Sequence, residues 1–263
     1  MNDVQRQAVL ITQKVDGIAT LTLNRPQQRN ALNMGLMQAI RGALKEIGAD
    51  PAIRAVIIAA GGPAFCAGHD LKEMRADPSE DAQAKTFATC AAMMMAIIHL
   101  PQPVIARVHG IATAAGCQLV ATCDLAVASE DARFATPGVH IGLFCSTPMV
   151  ALSRNVGRKQ AMEMLLTGEM IDAKRAQALG LINRAVPAGD LDAAVEELAG
   201  KICAKSPLAV RIGKEAFYRQ LETGFEAAYE YTGAVMVRNM MADDATEGID
   251  AFLEKRRPEW KGR

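Results

Sequence analysis

The chain has 263 residues, half of them apolar, and 29 Lys and Arg balance 29 Asp and Glu to a formal net charge of zero. A chain of this length can bury a sizeable core in one large domain. The even charge and an aromatic content of 4% argue against nucleic-acid binding, because that function needs a basic field and stacking rings. No stretch is long and apolar enough for a membrane span and no targeting segment is visible, so we expect a cytoplasmic protein without a membrane partner.

The six cysteines show no C-x-x-C pair and stand among small apolar residues. This arrangement predicts free, buried thiols in a reducing compartment. No paired spacing of metal-ligating residues is present either, so we expect no metal site.

Apolar patterns predict an α/β order in the first half of the chain. The predicted strands cover 17–24, 55–59, 103–108 and 124–128, and the predicted helices cover 33–48 and 87–99. Asn33 is a predicted helix cap, and Gly48 a predicted helix end. Two loops of small residues follow apolar runs, the first at 66–70 and the second at 112–118, where a helix opens near Ala115. Strand, helix, strand and loop in this order are typical of an α/β unit.

The second half reads as mainly helical. Predicted helices begin at Pro148, with Thr147 as cap, and cover 159–166, 173–179, 190–204 and a final segment 248–257. From 206 onward the chain has helical spacing throughout. We therefore predict an α/β core over 1–205 and a helical region over 206–263 that packs on the core or on another subunit.

The two small-residue loops carry the strongest chemical signal. A loop between a strand and a helix leaves backbone N–H groups unpaired, and the helix dipole adds partial positive charge. Two such loops can direct their N–H groups at one carbonyl oxygen, which is how a protein binds and polarises an acyl group. Gly and Ala at these places are also common in ordinary tight turns.

Five segments together resemble the enoyl-CoA hydratase/isomerase family, also called the crotonase family. They are N-R-P-Q-Q-R-N-A-L-N (24–33), F-C-A-G-H-D-L-K-E-M (65–74), H-G-I-A-T-A-A-G-C-Q-L-V-A-T-C-D (109–124), F-A-T-P-G-V-H-I-G-L (134–143) and E-G-I-D-A-F-L-E-K-R (247–256). The segment 134–148 is closest to one subgroup of the family. The resemblance implies a spiral of β-β-α units followed by helices that build a trimer, often paired into a hexamer.

The resemblance also implies the site. The backbone N–H groups of His69 and Ala115 would hold the oxygen of an acyl-CoA or enoyl-CoA thioester, with no cofactor beyond that ligand. Alanine at 115, where the family usually has glycine, is tolerable if its φ is negative. The residues implied to contact coenzyme A or the substrate are Arg29, Asn30, Ala31, Ala67, Gly68, Asp70, Leu71, Lys72, Ser146, Phe252 and Lys255.

Several of these positions have a second interpretation. Arg29 and Lys72 are candidate phosphate partners, and Phe252 and Lys255 would reach the ligand of a neighbouring subunit. Lys72 and Lys255 equally suit a solvated surface. Asp70 matches a position where a carboxylate braces the backbone.

The chain departs from the family at its acids. Family hydratases use two glutamates, and the matching positions hold Gln118 and Gly138. An amide carries no proton at neutral pH, and losing one general acid or base typically costs about 10²- to 10⁴-fold in rate. Gln118 could instead orient a water or carbonyl, or be a satisfied polar residue beneath the pocket.

Other side chains are candidate proton carriers in place of the missing acids. His69 is the first candidate because imidazole titrates near neutral pH, although its side chain equally suits a place near the pyrophosphate or on the surface. His140, Cys145 and Ser146 follow the second lost glutamate; Ser146 stands where some isomerases of the family place an acid. Cys145 is more typical of a buried apolar residue, and His99 and His109 are interpreted as structural.

Two hypotheses follow. The first is an enzyme of acyl-CoA and fatty-acid metabolism, a lyase or isomerase of the hydratase/isomerase family with little ordinary hydratase turnover; isomerase, thioesterase and decarboxylase chemistry stay open. The second is a non-catalytic acyl-CoA-binding or modulatory protein.

Overall fold

The computed structural model describes residues 8–263, and their strands form two sheets. The strands are β1 (Leu10–Val15), β2 (Ile18–Leu23), β3 (Ala55–Ala60), β4 (Ala64–Cys66), β5 (Val104–Val108), β6 (Ile111–Thr113), β7 (Leu125–Ser129), β8 (Arg133–Ala135), β9 (Ile171–Asp172) and β10 (Arg184–Val186). The larger sheet has the order β1-β2-β3-β5-β7-β10 and is parallel except for β1. The smaller has the order β4-β6-β8-β9.

The smaller sheet corrects the predicted origin of both loops. The first loop leaves β4 and the second leaves β6, rather than following the long strands β3 and β5 directly. Each of these strands has three residues, which is too short for a periodic pattern to reveal. They are parallel neighbours, with Cys66 opposite Ala112, so both loops leave the same edge of one sheet.

The helices surround the sheets. They are α1 (Met34–Gly48), α2 (Leu71–Ala76), α3 (Glu80–Ile98), α4 (Ala115–Thr122), α5 (Pro148–Asn155), α6 (Arg158–Thr167), α7 (Ala173–Ala178), α8 (Leu191–Cys203), α9 (Pro207–Leu221), α10 (Phe225–Met240) and α11 (Asp243–Leu253). Short 3-10 turns cover Pro26–Gln28, Pro137–Ile141 and Ala188–Asp190. None of the helices within residues 8–263 combines the length and apolar character that a membrane crossing requires.

The main core lies between one face of the larger sheet, the apolar stripe of α1, and the smaller sheet. Leu36 and Ile40 of α1 are fully buried there with Phe65 and Phe134 of the smaller sheet. The opposite face of the larger sheet is covered by α8. Asn33 caps α1 as predicted: its side-chain oxygen accepts from the Leu36 N–H at 2.9 Å.

Three local predictions were wrong in detail. Helix α3 begins at Glu80 rather than 87, because Ser79 caps it and acids fill its first turn. The last helix covers Asp243–Leu253 rather than 248–257. Thr147 does precede α5, with Pro148 in its first turn, but its hydroxyl makes no capping hydrogen bond.

A buried polar cluster attaches the C-terminal helices to the core. Lys214 of α9 donates to Asp124 Oδ2 at 2.6 Å and to the carbonyls of Ile97 and Gln102 at 2.9 and 3.0 Å. Tyr218 donates to Asp124 Oδ1 at 2.9 Å. Burial lowers the pKa of Lys214, although Asp124 opposes the shift. The region after 206 is helical as predicted, while the domain boundary at 205 stays a prediction.

Candidate active site

The first loop rests on a buried asparagine. Asn30 is completely buried, and its Nδ2 donates to the carbonyls of Gly61 and Ala64, each at 2.8 Å. Its Oδ1 accepts from the Arg25 N–H at 2.8 Å. Asn30 has a φ of 54°, a left-handed conformation that asparagine tolerates better than most residues. Its side chain is therefore committed to the fold, and so is its backbone N–H, which donates to the Arg25 carbonyl at 2.9 Å.

Asp70 braces the end of this loop. Its Oδ1 accepts from the N–H groups of Lys72 and Glu73 at 3.2 and 3.4 Å, which caps α2, and its Oδ2 pairs with Arg25 at 2.9 Å. Burial alone would raise the pKa of Asp70, but the hydrogen bonds from Arg25 and Glu73 outweigh burial and lower it. The predicted bracing role is confirmed; Arg25, its partner, was missed by sequence reasoning.

The His69 amide is free to donate. Leu32 N donates to the Gly68 carbonyl at 2.7 Å, and Asp70 N donates to the Leu32 carbonyl at 3.0 Å. In this parallel bridge the N–H of His69 points away from Leu32, and it donates to no group within residues 8–263.

The His69 side chain is a half-buried imidazole. Its ring packs edge-on against Phe87, with centroids 5.3 Å apart. Its Nε2 is buried without a partner in the described part of the chain. Burial lowers the pKa of His69 from 6.5, so the ring is neutral at pH 7.

The second loop places its strain one residue before the predicted donor. Ala115 is the first residue of α4 and has a helical backbone, so alanine there meets the condition of a negative φ. Ala114 instead has φ 49° and ψ −119°, a conformation that favours glycine and costs a β-carbon about 1–3 kcal/mol. The Ala115 N–H belongs to the first turn, which has no intrahelical partner, and no acceptor for it lies among residues 8–263.

Backbone contacts press the two loops together. A β-carbon added to Gly116 would lie 2.1 Å from the Cys66 carbonyl oxygen. One added to Gly68 would lie 2.9 Å from Ala114 Cβ and 3.4 Å from Ala115 N. Since Gly68 precedes His69, these contacts bring the His69 and Ala115 amides to neighbouring positions.

The opposite side of the site holds neutral groups. Gln118 of α4 is 6% exposed, and its Oε1 is buried with no partner in the described residues. The prediction of a satisfied polar residue is therefore not met by this oxygen. Thr136, completely buried just before Pro137, also has an unpaired hydroxyl within residues 8–263, and no sequence signal indicated it.

The position of the second family glutamate is closed. A β-carbon on Gly138 would lie 2.8 Å from the Leu143 carbonyl oxygen and 3.0 Å from Cys145 Sγ. The Gly138 N–H donates to that sulfur at 3.3 Å. Cys145 is buried as predicted, and burial raises the pKa of its thiol. The turn 138–145 thus folds over the place where a carboxylate would stand.

The remaining candidates lie apart from this chemistry. His140 Nε2 is 2.9 Å from the Thr167 carbonyl, and Ser146 is exposed with its hydroxyl 3.3 Å from the Phe144 carbonyl. His109 Nε2 is 2.8 Å from the Gly62 carbonyl, a structural contact as predicted.

Several of the predicted coenzyme A contacts have exposed side chains. Arg29 and Lys72 are exposed, and their side chains make no hydrogen bond to the described residues. Phe252 is 81% exposed, and Lys255 is exposed beyond α11. Their roles toward a ligand stay predictions.

Comparison with known proteins identifies the family of this chain. A family model described as enoyl-CoA hydratase/isomerase matches residues 13–263. The chain belongs to the enoyl-CoA hydratase/isomerase family. It is 47% identical to enoyl-CoA hydratase domain-containing protein 3, mitochondrial, of Xenopus laevis, over 98% of this chain and 87% of that protein.

Solved structures of the family share the fold. An enoyl-CoA hydratase of Mycobacterium smegmatis has a TM-score of 0.94 and 58% identity, covering 96% of this chain and 98% of that one. Human enoyl-CoA hydratase domain-containing protein 3 has a TM-score of 0.93 and 45% identity, covering 96% and 100%. The predicted crotonase fold and the subgroup indicated by 134–148 are both confirmed. Several relatives are named as mitochondrial; the cytoplasmic location of this chain stays an expectation.

Proposed function

We propose that this protein binds an acyl-CoA or enoyl-CoA thioester, with the thioester oxygen held by the backbone N–H groups of His69 and Ala115. One observation carries the proposal: two neighbouring amides donate to no group within residues 8–263. An N–H group that loses water without gaining a partner is costly, and one carbonyl oxygen would satisfy both amides. The adjacent helix start adds partial positive charge that favours an enolate-like oxygen.

The chemistry that follows binding is limited by the proton. Gln118 is uncharged, Gly138 has no side chain, and the turn 138–145 leaves no space for one. Neutral His69 is the only titratable candidate whose own amide is part of the site. We therefore propose that ordinary hydration is slow or absent, while carbonyl polarisation is retained.

A binding protein without turnover is the second candidate. The contacts of Gly138 with Leu143 and Cys145 favour it, because they leave no room for even a β-carbon at this position. The backbone N–H groups of His69 and Ala115, in contrast, are both present. A sensor, carrier or modulatory subunit needs the amides and does not need the acids.

We also propose a trimer or a pair of trimers. Helix α10 has one buried residue, Val235, while Phe225 and Tyr229 are 88% and 77% exposed. Such an apolar surface fits contact with another subunit, as the resemblance implies. Light scattering after size exclusion measures the mass directly.

The binding step is tested by removing one donor. Ala115→Pro deletes the N–H at a first helical position, where proline is tolerated. We expect the affinity for crotonyl-CoA and for a saturated acyl-CoA, measured by calorimetry, to fall about tenfold or more. The matched control is Arg158→Pro, at the exposed first position of α6 after an extended Gly157. Equal binding by both folded variants would rule out the amide site.

The chemical step is tested by returning one acid. Gln118→Glu replaces an amide with an isosteric carboxyl, and we expect crotonyl-CoA hydration to rise about 10²-fold above the wild type. A wild type that binds tightly without turnover supports the binding protein. Brisk wild-type hydration would contradict the proposed loss of acid catalysis.

A further inference from the structure

A cavity lies at the end of the larger sheet opposite the acyl site, where strands β3 and β5 begin. It has a volume of about 560 Å³ and is lined by residues before β3 and β5, by the start of α9 and by the segment 260–262. The two loops of the acyl site follow β4 and β6, beyond the other ends of β3 and β5, and they contribute no lining residue. The cavity is therefore distinct from the acyl site and falls between the core and the C-terminal segment.

The cavity is lined by three cations and no acid. These are Arg54, Arg211 and Lys261. The side chains of Arg211 and Lys261 are exposed and make no hydrogen bond to residues 8–263, while Arg54 donates to the Lys205 carbonyl. The cavity also faces the first residues of α9, a helix of 15 residues, whose dipole adds positive potential.

An acid close to Arg54 is already engaged. Asp244 accepts from the Ser206 hydroxyl at 2.5 Å and from the Lys261 and Gly262 N–H groups at 2.6 and 3.1 Å. Burial alone would raise its pKa, but these hydrogen bonds outweigh burial and, with the charge of Arg54, lower it. Arg54 is thus partly compensated by Asp244 and Lys261 by Glu247, whereas the side chain of Arg211 makes no hydrogen bond to residues 8–263.

One wall of the cavity is an aromatic ring held in place. Trp260 donates its indole N–H to the Ala204 carbonyl at 2.9 Å. Its ring edge lies against Gly248, where a β-carbon would be 3.1 Å from the ring. A fixed indole is a flat surface on which another ring can stack.

Gln102 also lines the cavity and holds an unpaired acceptor in the described part of the chain. Gln102 is 8% exposed, and its Nε2 donates to the carbonyls of Ile47 and Ile53 at 3.0 and 3.3 Å. These bonds fix the amide, and its Oε1 is left buried without a partner in the described residues. A ligand N–H group would satisfy this oxygen.

We propose that this cavity binds an adenine nucleotide. The phosphates would pair with Arg211 and Lys261, the purine would stack on Trp260, and the exocyclic amine would donate to Gln102 Oε1. The volume falls in the range of small-ligand sites. The same chemistry is found in a free nucleotide and in the nucleotide end of coenzyme A, so the test includes both.

Trp260 is the only tryptophan of the chain, which makes its fluorescence a probe of this cavity alone. Titration of the intact protein with ADP is expected to give a saturable fluorescence change. Inosine diphosphate, which has a carbonyl in place of the amine, is expected to bind about tenfold more weakly, as is ADP to Arg211→Ala or Lys261→Ala. Lys159→Ala, an exposed cation on α6, is the control and should leave the affinity unchanged.

Each outcome decides the proposal. Saturation by ADP but not by coenzyme A identifies a free nucleotide; saturation by coenzyme A that Lys261→Ala weakens and Ala115→Pro leaves unchanged identifies its nucleotide end. No saturable change with either ligand, equal affinity for inorganic phosphate and ADP, or an equal loss in Lys159→Ala would overturn the proposal. None of these readouts depends on thioester binding, so the two proposals fail separately.

Discussion

The candidate site has an amide side, with the backbone N–H groups of His69 and Ala115, and an acid side, with Gln118 and Gly138 where family hydratases have glutamates. The two sides are built in opposite ways. On the amide side, Gly116 lets the second loop approach the Cys66 carbonyl, and two N–H groups have no acceptor within residues 8–263. On the acid side, the Gly138 N–H donates to Cys145 Sγ, and the turn 138–145 fills the space around Gly138. Backbone donors are thus preserved while side-chain acids are lost. The difference teaches that the two backbone N–H groups and the positions of the family acids are structurally separable in this fold.

The largest expected effect comes from breaking the amide side. Gly116→Ala places a β-carbon 2.1 Å from the Cys66 carbonyl oxygen, where neither backbone can yield cheaply. We expect a loss of about 3 kcal/mol or more in the free energy of unfolding, measured by urea denaturation. Gly213→Ala is the matched control, since a β-carbon there meets nothing within 4 Å in a helix, and it should gain about 0.5–1 kcal/mol. An unaffected Gly116→Ala would mean that the loops are not packed backbone to backbone.

A smaller loss is expected on the acid side. Gly138→Ala brings a β-carbon within 2.8 Å of the Leu143 carbonyl oxygen and 3.0 Å of Cys145 Sγ, and the turn can adjust more easily than the packed loops. We expect about 2 kcal/mol of destabilisation with acyl-CoA affinity retained. Gly189→Ala, in another 3-10 turn with open space, should be nearly neutral. Unchanged stability of Gly138→Ala would show that the position is open and that a glutamate could return there.

The smallest expected effect is a pH dependence of the folding stability that arises from His69. Burial lowers the folded-state pKa of His69 below 6.5, so the unfolded chain binds the proton more readily than the folded one. Stability is therefore complete above the unfolded pKa and decreases as the pH falls below about 6.5. Urea unfolding at pH 7.5 and at lower pH should show this loss in the wild type and in His99→Gln, an exposed histidine, and a smaller loss in His69→Gln. An equal loss in His69→Gln would assign the dependence to other groups.

Local patterns predicted most of the long elements. Asn33 and the spacing from Leu36 to Ile47 were sufficient for α1, because a capped amphipathic helix is encoded locally. The strands β4 and β6 were missed because three residues carry no period. The predicted start of α3 was wrong because the Ser79 cap and first-turn acids decide it, and that of α11 because acids fill its first turn.

At the candidate site, the sequence by itself determined which residues stand in the two loops and which acids are absent. His69, Ala115, Gln118 and Gly138 could be named from motif positions alone, since residue identity needs no geometry. Only the tertiary structure decided that the strain falls on Ala114, that Thr136 Oγ1 and Gln118 Oε1 lack partners among the described residues, and that the turn over Gly138 is closed. Those properties depend on contacts between residues far apart in the chain, which no local pattern records.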